Sequence, residues 1–238
     1  MRASKALLIL SLAAASVIAA TVATSAADVN GTLAIVNGFP GKKVDVCLNG
    51  REIASGLPYG RRVLKANVAT GTKVIDFFVP DPRTCRGTRR AKIEFVLPPA
   101  GDRTIVVTKD APRVLAFDNA DLGEIPPLGS PSDVAYIVWR NASDMLVNFR
   151  IKGWLPSIES PTSPAADPVF AKGQQRGGDQ IADYIWQVRA TLSDTQETLA
   201  LRRALLVASH RYEWVLVGSN PGNARFVFID RVVSLPSP

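Results

Sequence analysis

The sequence predicts an all-β protein: two tandem immunoglobulin-like antiparallel β-sandwich domains behind an N-terminal export segment. Three observations carry this. Apolar and polar residues alternate over short runs, as in Val44-Asp45-Val46-Cys47-Leu48-Asn49, which sets Val44, Val46 and Leu48 on one face and Asp45, Cys47 and Asn49 on the other. Gly, Pro and Asn-Gly punctuate these runs at short intervals, the composition of sandwiches and barrels. The pattern of the first half then returns, loosely, in the second. Composition agrees: 47% hydrophobic and 21% charged residues are ordinary for a globular chain and argue against long disorder.

Residues 1–27 read as a signal peptide. Arg2 and Lys5 give a positive start, and Ala6 to Ala20 form an apolar run broken only by Ser11 and Ser16. Ser25-Ala26-Ala27 before Asp28 suits cleavage. A retained anchor is the alternative, because Ala6 to Ala23 approaches the ~18–20 residues that span a bilayer. The expected location is secreted, extracellular or in the cell envelope, periplasmic where the host has an outer membrane. The membrane is expected as a partner only through this segment before cleavage. Without Arg2 and Lys5 the net charge falls from +7 to +5. That balance suits anionic envelope polymers or polysaccharide, and nucleic acid is not expected as a partner.

The first repeat spans residues 28–120. It opens with a strand before a Gly/Pro loop at Gly38 to Gly41, then the alternating run at Val44. Asn49-Gly50 is a hairpin signal, since both central positions of a type I′ turn need positive φ. Arg51 to Ser55 returns beside it, and Pro58-Tyr59-Gly60 closes the unit. Further strands are expected near Val63–Val68, Thr72–Val79, Lys92–Leu97, Arg103–Thr108 and Arg113–Asp118, with prolines between them, where a missing N–H does no harm. Cys47 and Cys85 are the only cysteines, and in an exported chain they are expected to pair. Alternation places Cys47 opposite the Val44 face, so the bridge should lie outside the main core and pin the loop 80–90. The stretch Arg83 to Lys92 carries Arg83, Arg86, Arg89, Arg90 and Lys92 and no acid, a candidate contact for an anionic polymer. No aromatic is interleaved with these bases, so a stacking platform for single-stranded nucleic acid is lacking.

Asn37 and Pro40, Val44-Asp45-Val46, Asn49-Gly50 and Leu57-Pro58-Tyr59-Gly60 together resemble the opening pattern of the domain-of-unknown-function 4397 family, exported and mostly bacterial β-repeat domains. The family pattern runs from a strand ending in Asn through a Pro-Asp-Ala-Pro-like loop to Val-Asp-Val-Tyr-Val-Asn-Gly and Leu-x-Tyr-Gly. This chain departs in its loop, Gly-Phe-Pro-Gly-Lys-Lys, and in Cys47, which stands where the family has an aromatic. The likeness covers about 90 residues. It implies a secreted or surface-exposed β-sandwich with no established activity, and it carries over no catalytic residue.

Residues 121–132, rich in Pro, Gly and Ser, read as a linker. The second, diverged repeat spans 133–238. Ala135 to Asn141 echoes Leu33 to Asn37, Met145 to Gly153 echoes Val44 to Gly50, and Ala182 to Val188 echoes Lys73 to Val79. Leu205–Val207, Glu213–Val217 and Arg225–Ile229 echo the last three strands. One larger sandwich using all strands is the alternative. The residues 156–178, with four prolines and several small polar residues, read as a long flexible loop; Asp194 to Ala208 reads as a strand, with a short helix as the alternative because its composition is helical. All four tryptophans, Trp139, Trp154, Trp186 and Trp214, lie in this half. Trp154, between Gly153 and Pro156, is the candidate aromatic contact for a sugar ring.

The motifs of catalysis do not assemble. His210 is the only histidine, and no Gly-x-Ser-x-Gly elbow, Walker loop or Gly-x-Gly-x-x-Gly is present. No catalytic, cofactor-binding or metal residue is assigned, and no cofactor is expected. The expected role is a non-enzymatic envelope or extracellular binding or structural module. Two alternatives stand beside it: a carboxylate-based, glycosidase-like hydrolase using residues such as Asp45, Asp76 and Asp81, and an accessory subunit docking a protein by a strand edge.

Overall fold

The computed structural model describes residues 30–83, 85–122, 134–153, 169–181 and 184–232. The expected signal peptide, residues 123–132 of the expected linker, Trp154 and the first part of the 156–178 loop lie outside them. Among the described residues no helix is long and apolar enough to cross a membrane.

The first unit runs through β1 (Gly31–Asn37), β2 (Val44–Leu48), β3 (Arg51–Leu57), β4 (Arg62–Val68), β5 (Gly71–Phe78), β6 (Arg89–Leu97), β7 (Asp102–Val107) and β8 (Val114–Asp118). The second runs through β9 (Ala135–Ser143), β10 (Val147–Gly153), β11 (Val169–Phe170), β12 (Gln175–Ile181), β13 (Tyr184–Leu192), β14 (Thr198–Leu206), β15 (His210–Gly218) and β16 (Arg225–Val232). In the first unit the sheet β4-β1-β7-β8 packs on β3-β2-β5-β6, and in the second β12-β9-β15-β16 packs on β11-β10-β13-β14. Adding eight to each strand number turns one unit into the other. The Asn49-Gly50 turn forms as its composition requires, with φ of 49° and 76°.

The sheets depart from the purely antiparallel expectation at one place in each unit: β1–β7 and β9–β15 pair in parallel. The chain reverses at each turn, so odd strands run one way and even strands the other. Two odd strands brought side by side can only be parallel.

The duplication reaches individual hydrogen bonds. Asn37 Nδ2 donates to the carbonyls of Lys42 and Leu57, its Oδ1 accepts from Phe39 N–H, and Gly60 N–H donates to its carbonyl. Asn141 Nδ2 donates to Met145 and Phe170, its Oδ1 accepts from Ser143 N–H, and Gly173 N–H donates to its carbonyl. Phe170-Ala171-Lys172-Gly173 is therefore the second copy of Leu57-Pro58-Tyr59-Gly60, with both glycines at positive φ, 69° and 83°. This corrects the reading of 156–178 as one long flexible loop, because its described part holds β11 and the start of β12. The sequence signal was lost because β11 is only two residues long and Tyr-Gly had become Lys-Gly. The strand expected within 194–208 forms despite its helical composition: Thr198–Leu206 pairs along β13, and cross-strand packing outweighs intrinsic preference.

Each unit buries its own core, the first around Leu33, Ile35, Val46, Phe77 and Ile105, the second around Trp139, Trp186, Trp214, Phe149 and Phe170. A third cluster joins them. Ala34, Val36, Val106, Leu115 and Phe117 on the outer face of β1, β7 and β8 pack on Ala142, Val215, Val217, Val227 and Ile229 from β9, β15 and β16. The seam is a pseudo-two-fold, self-complementary interface of the kind seen between identical subunits. Equivalent residues cross it in both directions. The Tyr59 hydroxyl donates to the Asn223 carbonyl with that of Val217 at 3.3 Å, while Lys172 Nζ donates to the carbonyls of Asp110 and Ala111 at 2.9 and 3.3 Å.

Candidate functional site

In both units the turns after odd-numbered strands gather at one end of the sandwich. In the first unit three of them, β1–β2, β5–β6 and β7–β8, surround a pocket of about 240 Å3 between the sheets. Its lining includes Phe39, Arg89, Arg90, Thr108, Lys109 and Arg113, and among the described residues no carboxylate. The Arg90 guanidinium lies over the Phe39 ring, 4.9 Å from its centroid, which fixes the side chain and leaves its edge free to donate. Arg90 Nε is buried and has no hydrogen-bond partner among the described residues. Arg113 approaches from the other sheet, its Nη1 3.5 Å from the Arg90 carbonyl. The β7–β8 turn that carries it is tied by the Thr108 hydroxyl, which is 2.9 Å from the Asp110 carbonyl and 2.7 Å from that of Pro112. A half-enclosed site with four cations and an immobilised guanidinium is chemically suited to a carboxylate, sulfate or phosphate group.

The basic residues singled out in sequence are split by the fold. Arg89 and Arg90 reach the pocket. Arg83 is exposed and pairs with Asp81 at 3.3 Å, and Lys92 pairs with Glu94 at 3.8 Å away from the lining. Arg89 also pairs with Asp76 at 3.3 Å, and Arg86 is exposed outside the lining. The stretch Arg83 to Lys92 contains no acid, but acids flank it: Asp81 precedes it in the loop, Glu94 follows it on β6, and Asp76 lies across the ladder on β5. Lys109 and Arg113 were missed. Counting strand reversals would have found them, since it sends the Pro112 turn to the same end as Phe39.

The Cys47–Cys85 disulfide is present, with Cα atoms 6.0 Å apart. Cys47 faces away from the core as alternation requires, yet it is fully buried, because the loop after β5 folds over that face of the sheet. Asp45, beside it, holds the same loop: Oδ2 accepts from Asp81 N–H at 3.1 Å, and Oδ1 accepts from Gly56 N–H at 2.7 Å. Asp45, Asp76 and Asp81, the carboxylates weighed for hydrolysis, are thus engaged as anchors of the loop and its arginines. His210 opens β15 with Nδ1 2.8 Å from the Asp230 carboxylate and its ring stacked on Tyr212. Trp139, Trp186 and Trp214 are core residues, while Trp154 lies outside the described residues.

A second group of ionised residues lies inside the seam. Asp102 pairs with Arg211 and with Arg231, and Glu213 pairs with Arg231, Arg140 at 3.4 Å and Arg211 at 3.7 Å. The Thr104 hydroxyl donates to Glu213, and the Arg140 guanidinium sits 5.1 Å from the Phe117 ring centroid. By strand register Asp102 and Thr104 correspond to Arg211 and Glu213, so equivalent positions meet each other across the pseudo-dyad. Burial alone would raise the Glu213 carboxyl. Arg140, Arg231 and Arg211, helped by Thr104, outweigh it and hold the group below the usual carboxylate range. Burial pushes Arg140 and Arg211 down to about 10, still cationic at neutral pH. Perturbed groups often mark functional sites, but these five residues are all buried between two packed sheets, so their role is to lock the units together.

The chain matches no family model and no curated protein. Among solved structures it is similar to provisionally named cell adhesion proteins of three Bacteroides species. That of Bacteroides uniformis ATCC 8492 shares 9% identity at a TM-score of 0.29, over 87% of this chain and 99% of that one. That of Bacteroides fragilis NCTC 9343 shares 12% at 0.22, over 80% and 71%. That of Bacteroides ovatus ATCC 8483 shares 8% at 0.21, over 85% and 96%.

Proposed function

We propose that the protein is an exported, non-enzymatic binding module that holds an anionic group of an envelope or extracellular polymer at the mouth of its first sandwich. The observation that supports this is the convergence of Arg89, Arg90, Lys109 and Arg113 on the Phe39 pocket with no carboxylate in the lining among the described residues. Two loops, one held by the disulfide and Asp45 and the other by Thr108, position these cations before any ligand arrives, which lowers the ordering cost of binding.

Retention on immobilised polyuronate and on a polyol-phosphate polymer, eluted with a salt gradient, tests the reading. The protein is expected to bind at low salt and elute as salt rises. Each charge-assisted contact is worth roughly 1.5–3 kcal/mol, so Arg90→Gln with Arg113→Gln should weaken binding at least ~100-fold. Arg83→Gln with Lys92→Gln should change it little, because both side chains lie away from the pocket. Salt-sensitive retention that survives the Arg90 and Arg113 substitutions removes the pocket as its cause.

A further inference from the structure

One edge of the seam carries a groove of about 460 Å3 to which both units contribute. Arg61, Arg62 and Leu64 line it from the first unit, and Arg202, Val227 and Phe228 from the second. Among the described residues no carboxylate lines it. Arg202 lies over the Phe228 ring, 5.2 Å from its centroid, and Phe228 is itself stacked on Tyr212 and tilted against Trp214, so the guanidinium has a fixed seat. Of the nearby acids, Asp230 is held by His210 and Glu213 is buried in the seam. Burial first and then the Arg202 charge push Arg62 below its ordinary value against the opposing pull of Asp230 and Glu213, so the two guanidiniums crowd one another.

The opposite edge of the seam shows that the architecture does not require this crowding. Gly60 and Gly173 occupy equivalent turns, so Arg61 and Arg62 correspond to Gln174 and Gln175. Arg202 pairs with Val188 as Ile93 pairs with Ile75, so the place of Arg202 is taken there by Ile93. Three arginines on one edge thus face neutral residues at the equivalent positions of the other. The same packing stands on both edges, and like charge in a partly enclosed groove costs stability rather than adding it.

We propose that this groove is a second binding site, for an oxyanion borne on a compact body of about sugar size, gripped between Arg62 of the first unit and Arg202 of the second. Its volume falls in the range of small-ligand pockets. Guanidinium forks match phosphate and carboxylate oxygens bidentately, and the neighbouring exposed Leu64 offers apolar surface to the body of the ligand. Because each unit supplies one arginine, binding here also stabilises the docked pair of units. This site does not depend on the mouth pocket.

The test uses the full chain carrying Arg90→Gln and Arg113→Gln, so that the mouth pocket is disabled. Calorimetric titration with inorganic phosphate in one arm and glucuronate in the other distinguishes the two sources of oxyanion. One saturable site for at least one probe is expected, weakened about tenfold or more by adding either Arg62→Gln or Arg202→Gln. Without ligand, Arg62→Gln should melt at or above the parent temperature, because it relieves the crowding. The proposal is overturned if neither probe binds, if binding ignores both substitutions, or if Arg62→Gln alone lowers the melting temperature, which would mark Arg62 as structural. None of these results bears on polymer retention by the mouth pocket.

Discussion

Replacing Glu213 by glutamine removes one of two carboxylates that face three buried guanidiniums at the seam. The size and shape of the side chain stay almost constant, so the loss is electrostatic. The buried cluster goes from a net +1 to a net +2. At an effective dielectric constant of ~20 a unit charge pair at 4 Å is worth about 4 kcal/mol, and three arginines lie near that range. Part of this is offset because a neutral amide is cheaper to bury, which leaves an expected loss of about 3–5 kcal/mol, the usual cost of stranding buried charge. With m of roughly 2–3 kcal/mol/M, the urea midpoint should fall by about 1–2 M. Two probes make the assay specific. All four tryptophans lie in the second half, so their fluorescence follows that unit, while far-UV circular dichroism follows both. In the native chain the two transitions should coincide, because the seam couples the units. In Glu213→Gln they should separate. A loss below ~1 kcal/mol, or one no larger than that of the exposed Glu94→Gln, refutes the reasoning. The pH dependence carries a sign. The folded-state pKa of Glu213 lies below its unfolded value, so the unfolded chain binds the proton more tightly. The stabilisation is therefore complete above about pH 5 and is lost as pH falls below the unfolded value of ~4.3. Glu213→Gln should flatten that acid limb.

Three further outcomes are expected. Reducing the Cys47–Cys85 bridge, or replacing both with serine, should cost about 4 kcal/mol, because it closes a loop of about 39 residues; unchanged melting of the reduced protein would count against this. Asn37→Ala and Asn141→Ala should each cost about 1–3 kcal/mol in urea unfolding, since each strands buried carbonyls at the same place in its unit, and a neutral Asn141→Ala would break the equivalence. Tyr59→Phe should cost about 1 kcal/mol through the lost hydroxyl contact across the seam, read as a fall in melting temperature with unchanged circular dichroism.

Much of the fold was legible from local rules. Alternation located β2, β5 and β6 within a residue or a few, Asn49-Gly50 set its own turn, and Asn37 found its counterpart in Asn141. The echo failed at Phe170 to Gly173, where the conserved feature is a hydrogen-bond pattern of the backbone and Asn141, and only one of four side chains repeats. Half of the candidate site was legible. Arg89 and Arg90 were visible as charge, but Lys109 and Arg113 join them only through the order of strands in two facing sheets.

The sequence by itself determined the strand class, the turns, the face of Cys47 and its pairing, because period-two burial and turn chemistry act over a few residues. Tertiary structure alone decided the parallel pairs, the pairing of Arg89 with Asp76, the mouth pocket and the seam. Those depend on which strands lie side by side and which faces meet. Nothing in the local pattern of Asp102, Arg140, Arg211, Glu213 or Arg231 reveals that five charged strand residues, each reading as solvent-facing, are buried against one another. Their charges balance only when the two sandwiches are docked.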